Sequence, residues 1–163
     1  MIFDEYIKEN LAEFTAKEKE VSRYLWVTQE HLRFVMWFES RLNPRAQNAI
    51  TKATGLIQFM PATAISLGTT IDELMNKTNV EQLVYVKKFL SPFSTEFQDF
   101  VDLYCAIFWP AAVGKPDSYI ITSKIVAKQN PIFDIDKDGD IEKSEIRKAL
   151  LKQIPAKYLQ FFS

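Results

Sequence analysis

The chain has 163 residues, 20 basic and 21 acidic side chains, and a formal net charge of -1. That length allows one domain, at most one and a half, and can bury a core without a metal or a disulfide to hold it. The near-neutral charge excludes a nucleic-acid binder that works by phosphate neutralisation. A hydrophobic share of 47% excludes a disordered chain, and no apolar run approaches the ~20 residues that cross a bilayer.

Taken in chain order, the first segment, about Phe3 to Leu25, is charged and helical in pattern. Met1 to Glu30 carries seven acids and four bases, which by default reads as a solvated face. Met1–Tyr6 has neither the basic nor the apolar region of a secretory signal, so none is expected. A second helix is predicted from Thr28, its N-cap, to about Arg41, where Asn43-Pro44 ends it. Pro61 opens a short helix that stops at Gly68. Thr78-Asn79-Val80-Glu81 has capping-box spacing and opens a helix that Pro92 closes. Phe97 to Phe108 reads as an apolar helix ended by Pro110, and it holds Cys105, the single cysteine, expected to be buried and inert. Helices are also predicted over Tyr119–Lys128 and Ser144–Gln153. No run alternates at period two for long enough to make a strand, so the fold is predicted to be mainly α, with little or no sheet. Three regions are expected in one globule: 1–26 packing on the domain, 27–130 as its body, and 131–163 with an acidic loop and a last helix. Trp26 and Trp37 read as core or groove wall, and His31 as a surface residue.

Residues Asp134-Ile135-Asp136-Lys137-Asp138-Gly139-Asp140-Ile141-Glu142-Lys143-Ser144-Glu145 fit the twelve-residue EF-hand pattern at every constrained position. Asp134, Asp136 and Asp138 can converge on one ion while Gly139 makes the sharp turn. The carbonyl of Asp140 supplies a backbone oxygen, Glu142 can act through a water, and Glu145 can bind with both oxygens. Six acids against two bases would repel one another without a cation. With one loop rather than a pair, and Pro131 interrupting the entering helix, a structural calcium ion is expected rather than a calcium switch.

In the second helix Leu32, Val35 and Met36 share a face with Glu39, which sits in the last turn. Burial and the negative end of the helix dipole both favour the protonated form of such a carboxyl. A carboxylic acid kept protonated near neutral pH can give its proton to a leaving oxygen.

The sequence around Glu39 sharpens this. Glu39-Ser40-Arg41-Leu42-Asn43-Pro44 is followed by Gly55-Leu56-Ile57-Gln58-Phe59-Met60-Pro61-Ala62-Thr63-Ala64 and then Leu67-Gly68. The two blocks resemble the soluble (SLT) type of lytic transglycosylase, related to goose-type lysozyme, and particularly its phage-encoded members. The resemblance runs from about Val27 to Tyr119, and the acidic loop lies beyond it. It implies a lysozyme-like, mainly helical fold that cleaves the β-1,4 bond between N-acetylmuramic acid and N-acetylglucosamine. Glu39 matches the family's single acid/base, and the expected product carries a 1,6-anhydro end, with no cofactor needed for the reaction. Gln58, Phe59 and Met60 match groove positions, and Gly55 would let the backbone come close to substrate or to Glu39. Tyr104, Trp109 and Tyr119 are further groove candidates. Pro110 stands where the family often has an asparagine, and Lys52 replaces a common glycine.

The partner implied is the peptidoglycan glycan strand, with no nucleic acid, no membrane insertion, and a monomer expected. Without a signal, such an enzyme would ride in a phage virion or reach the wall from the host cytoplasm at lysis. Two other readings stand beside this one: a wall-binding virion protein with weak or no turnover, and a calcium-dependent interaction module.

Overall fold

The computed structural model describes residues 1–162, which form two compact units, Met1–Thr95 and Glu96 onward. Both are mainly helical, and the sheet among the described residues is a single two-stranded one.

In the first unit the charged opening segment is not one helix. A 3-10 turn at Asp4–Tyr6 precedes α1 (Leu11–Tyr24), and Asn10 in left-handed conformation separates them. Helix α2 (Gln29–Ser40) starts as the sequence predicts, with the Thr28 hydroxyl accepting the His31 amide at 3.1 Å. Helix α3 (Pro61–Ser66) uses Pro61 in its first turn. The sequence reading missed α4 (Ile71–Asn76), although Thr70 and Glu73 form a capping box identical in kind to that of Thr78 and Glu81 on α5 (Asn79–Leu90). At six residues α4 is too short to show an apolar period, so the cap is its only local signal.

Helix α1 packs on both α2 and α5. The core between them holds Phe14, Val21, Leu25, Leu32, Val35, Met36, Leu83, Val86 and Leu90, all fully buried. Each such side chain contributes about 1.5–3 kcal/mol by leaving water. Trp26 does not join this core: it ends α1 in left-handed conformation and is 84% exposed, because a turn residue there points away from both helices.

An ion pair sits inside this apolar packing. The fully buried Arg33 donates from Nε to both oxygens of the fully buried Glu18 at 3.0 Å, and from Nη2 to Glu18 at 2.7 Å and to Thr15 Oγ1 at 3.1 Å. Its Nη1 bonds Asp4 and the Ile2 carbonyl, and Gln29 Nε2 bonds Glu18 at 2.7 Å. The guanidinium thus ties the opening segment, α1 and α2 to one point, with its charge compensated on all sides.

In the second unit α6 (Phe100–Phe108) is capped by Asp99, which accepts from Val101 at 2.8 Å and Asp102 at 3.2 Å. A 3-10 turn at Pro110–Ala112 follows. The helix predicted over Tyr119–Lys128 is instead a strand and a shorter helix: β1 (Ile120–Ile121), then α7 (Lys124–Gln129) capped by Ser123. Strand β1 pairs antiparallel with β2 (Ile141–Glu142), Ile121 opposite Ile141, and α8 (Lys143–Gln153) follows at once. Two residues per strand are too few to alternate visibly, which is why the sequence pattern hides them. Buried Lys143 bonds Asp102 at 2.6 Å and the Lys115 carbonyl, while Asp102 also accepts from Gly114 and Gln98, each at 2.9 Å. This network joins α6, the segment before β1, and α8. Cys105 is buried, and its thiol is pushed up to about 12 by that burial, as its apolar setting predicts.

Arg33→Met would leave Glu18 buried without its cation. The expected loss is about 3–5 kcal/mol of unfolding free energy by urea titration, partly recovered in the Arg33→Met, Glu18→Leu double variant.

Candidate functional site

The apolar stripe of α2 places Glu39. Leu32, Val35 and Met36 on that stripe are fully buried, and Glu39 follows them into the last turn, where it remains half-buried. Its carboxyl makes no hydrogen bond and no ion pair among the described residues. Burial alone raises its pKa from the usual 4.5 to about 7. A carboxyl that is desolvated yet still reachable has the protonation behaviour a general acid needs near neutral pH.

The chain leaves α2 sharply. Arg41 and Leu42 both take positive φ, 56° and 60°, and the Arg41 guanidinium lies 4.0 Å over the Trp37 ring. Trp37 is buried, stacked on Phe3 at 4.3 Å, so it is a core residue. The Ser40 hydroxyl is 3.0 Å from both the Met36 and the Leu56 carbonyls, and its one proton ties the end of α2 to the second sequence block.

That block is a tight loop held by its own backbone. Thr54 and Phe59 exchange amide–carbonyl bonds at 3.0 and 2.9 Å, and the Gly55 amide donates to the Ala46 carbonyl at 2.8 Å. Gly55 has a φ of 83°, and a Cβ there would lie 2.4 Å from Gln82 Oε1. The close approach this glycine permits is therefore to Gln82, a residue the sequence reading did not single out. Gln58, itself at a φ of 53°, donates from Nε2 to the Ala46 and Gly55 carbonyls, both at 3.1 Å. Its donor protons serve the loop, and its carboxamide oxygen is left as an acceptor. Met60 is 46% exposed at the start of α3. Phe59 is buried instead, edge-on to Phe89, because alternate residues of so short a turn face opposite ways.

Tyr104, Trp109 and Tyr119 belong to the second unit. Tyr104 is a core residue, stacked on Phe108 at 5.8 Å and packed on Phe133, since the apolar helix that carries it is buried nearly all round. Trp109 is half-buried at the C-terminal end of α6. Tyr119 is half-buried, and its carbonyl accepts the Lys143 amide at 2.9 Å.

The acidic loop of the second unit gathers its carboxylates as its spacing predicts. Oxygens of Asp134, Asp136 and Asp138 lie within 4.8 Å of one another, with no ion pair among the described residues to balance them. Asp136, Asp138, Asp140, Glu142 and Glu145 line one small cavity with Ile120. Gly139, at a φ of 90°, turns the loop. Glu145 is buried and accepts from Ile135 at 2.9 Å and, on its other oxygen, from Glu142 at 2.8 Å. An all-oxygen donor set of this charge suits a hard divalent cation.

The raised pKa of Glu39 is also a statement about stability. Its folded-state value lies above the unfolded one, so its contribution is fully present below pH 4.5 and is lost as pH rises through about 7. Glu39→Gln should therefore raise Tm at pH 8, by roughly 5 °C, and leave it unchanged at pH 4. Calorimetry at the two pH values checks this.

No curated protein and no solved structure matches the chain. The family model described as the transglycosylase SLT domain matches residues 16–99, just over half of the chain. The matched stretch holds Glu39, Gly55, Gln58 and Met60, and it begins and ends earlier than the resemblance read from the sequence blocks. A desolvated acid in the last turn of α2, inside the matched stretch, is in keeping with a lysozyme-like, mainly helical fold. The chain belongs to the transglycosylase SLT domain family, whose members are lytic transglycosylases of peptidoglycan.

Proposed function

We propose that this chain cleaves the β-1,4 bond between N-acetylmuramic acid and N-acetylglucosamine in peptidoglycan, with Glu39 as its single acid/base. The observation that carries the reading is the half-buried, unpartnered Glu39 carboxyl with a pKa near 7. In the first step Glu39 gives its proton to the glycosidic oxygen as the bond to C1 breaks. The substrate's own acetamido oxygen closes on C1, so no second protein carboxylate is required, an exception to the two-carboxylate scheme. In the second step the Glu39 carboxylate takes the proton of the C6 hydroxyl as that oxygen attacks C1 and displaces the acetamido oxygen, which returns to the free acetamido group. The product has a 1,6-anhydro end, and Glu39 returns to its acid form. Gln58, through its carboxamide oxygen, and Met60, through its exposed side chain, are proposed substrate contacts.

The reading extends to the acidic loop. Asp134, Asp136, Asp138, the Asp140 carbonyl and Glu145 are proposed to hold a structural calcium ion, with Glu142 contributing through a water. The ion would neutralise clustered carboxylates and fix the start of α8; the reaction itself needs none. The proposed place of action is the bacterial wall, reached from a phage virion or at host lysis.

Glu39→Gln should lower release of soluble muropeptides from purified walls by about 10²-fold or more, with the far-UV spectrum unchanged. Mass spectrometry of the parent's products should show anhydro ends, and the rate should fall as pH rises through about 7, where the acid form is lost. A Glu39→Gln variant as fast as the parent would falsify the assignment, and wall binding without release would favour the non-catalytic reading. Calcium at a hundredfold excess over its Kd should add about 2.7 kcal/mol to the stability of the parent, and none to an Asp134→Asn, Asp136→Asn variant.

A further inference from the structure

Gln82 lies on α5, far in sequence from both blocks, and is fully buried. Its carboxamide makes three hydrogen bonds. Oε1 accepts the Leu56 amide at 3.0 Å, and Nε2 donates to the Pro44 carbonyl at 2.7 Å and the Leu74 carbonyl at 2.8 Å. One side chain therefore holds the Asn43-Pro44 end of the first block and the Gly55-Leu56 start of the second. The Leu56 backbone is held at both ends: its amide by Gln82, and its carbonyl by Ser40, the residue next to Glu39. Gly55 completes the fit, since any Cβ there would collide with Gln82 Oε1. A chemically polar hub at the centre of an apolar unit is tolerated because both of its donor protons and its oxygen are hydrogen-bonded.

We propose that Gln82 is a positioning residue for the Glu39 chemistry, setting the Leu56 peptide and through it Ser40 and the last turn of α2. It touches no reacting atom, and the proposal rests on the Glu39 reading above. The polarity of the contact is what matters. The amide oxygen must face the one N–H and the amide nitrogen the two carbonyls, so neither a carboxylate nor an apolar side chain can replace it. A carboxyl displaced by about 1 Å from its working position loses most of its rate advantage while binding elsewhere in the groove persists.

The test uses the full chain and soluble oligomers of the alternating disaccharide, with kcat and KM read separately. Gln82→Met and Gly55→Ala are each expected to lower kcat by about tenfold or more with KM within about twofold. The double variant should be no slower than the worse single one, because both changes break the same contact. Gln82→Glu keeps the volume and an acceptor for Leu56 but opposes the two carbonyls; it should show the same loss and decides the case if Gln82→Met does not fold. Folded Gln82 variants with the parent's kcat, or losses that multiply in the double variant, overturn the proposal while leaving Glu39 in place. Turnover that survives Glu39→Gln overturns the acid/base reading and this proposal with it.

Discussion

The removal of one carboxyl from water governs this protein. Among the described residues Glu39 has no cation beside it and no hydrogen-bond donor, and its burial is what keeps its proton on near neutral pH. A single arginine or lysine at hydrogen-bond distance would reverse the effect, since an opposite charge favours the ionised form. The first unit contains one arginine on the same helix and another just after it, and each is engaged elsewhere. Arg33 is locked to Glu18 inside the core, and Arg41 folds back over Trp37. The site is thus built as much by where positive charge is kept as by where the acid is put.

Keeping that carboxyl in place takes interactions well away from it. The Arg33 network fixes α2 against α1 and the opening turn, while Ser40 fixes the end of α2 to the Leu56 peptide. Both anchors are polar groups inside apolar packing, where an unmade bond is expensive and a made one is directional. Directional restraint is what the acid/base role proposed for Glu39 requires, because hydrophobic burial alone sets proximity but not orientation. The left-handed residues Arg41 and Leu42 show the local cost: α2 ends abruptly so that the chain can turn back with Glu39 at its last turn.

Much of this was legible in the sequence. The Thr28 and Thr78 caps, the Pro61 start and the apolar stripe under Glu39 all follow from local chemistry, and all are present. The acidic loop gathers its carboxylates because ligand spacing is itself a local property. What stayed hidden depends on distant partners. Gln82 reads as an ordinary helical glutamine until Pro44 and Leu56 are brought to it. Asp102 carries no local signal of its partner, yet it meets Lys143 across 41 positions of sequence. Phe59 and Tyr104 drew notice as groove aromatics, but tertiary packing turns their rings inward. Strand β1 is hidden from the sequence because Ile120 and Ile121 suit either state, and only their pairing with β2 decides.

The most direct test is a site-resolved titration of the Glu39 carboxyl carbon by nuclear magnetic resonance, with Glu39→Gln identifying the signal. The account predicts a midpoint near pH 7. A midpoint at the ordinary 4.5 would mean that the carboxyl is solvated and already ionised where the enzyme must act as an acid, and would contradict it.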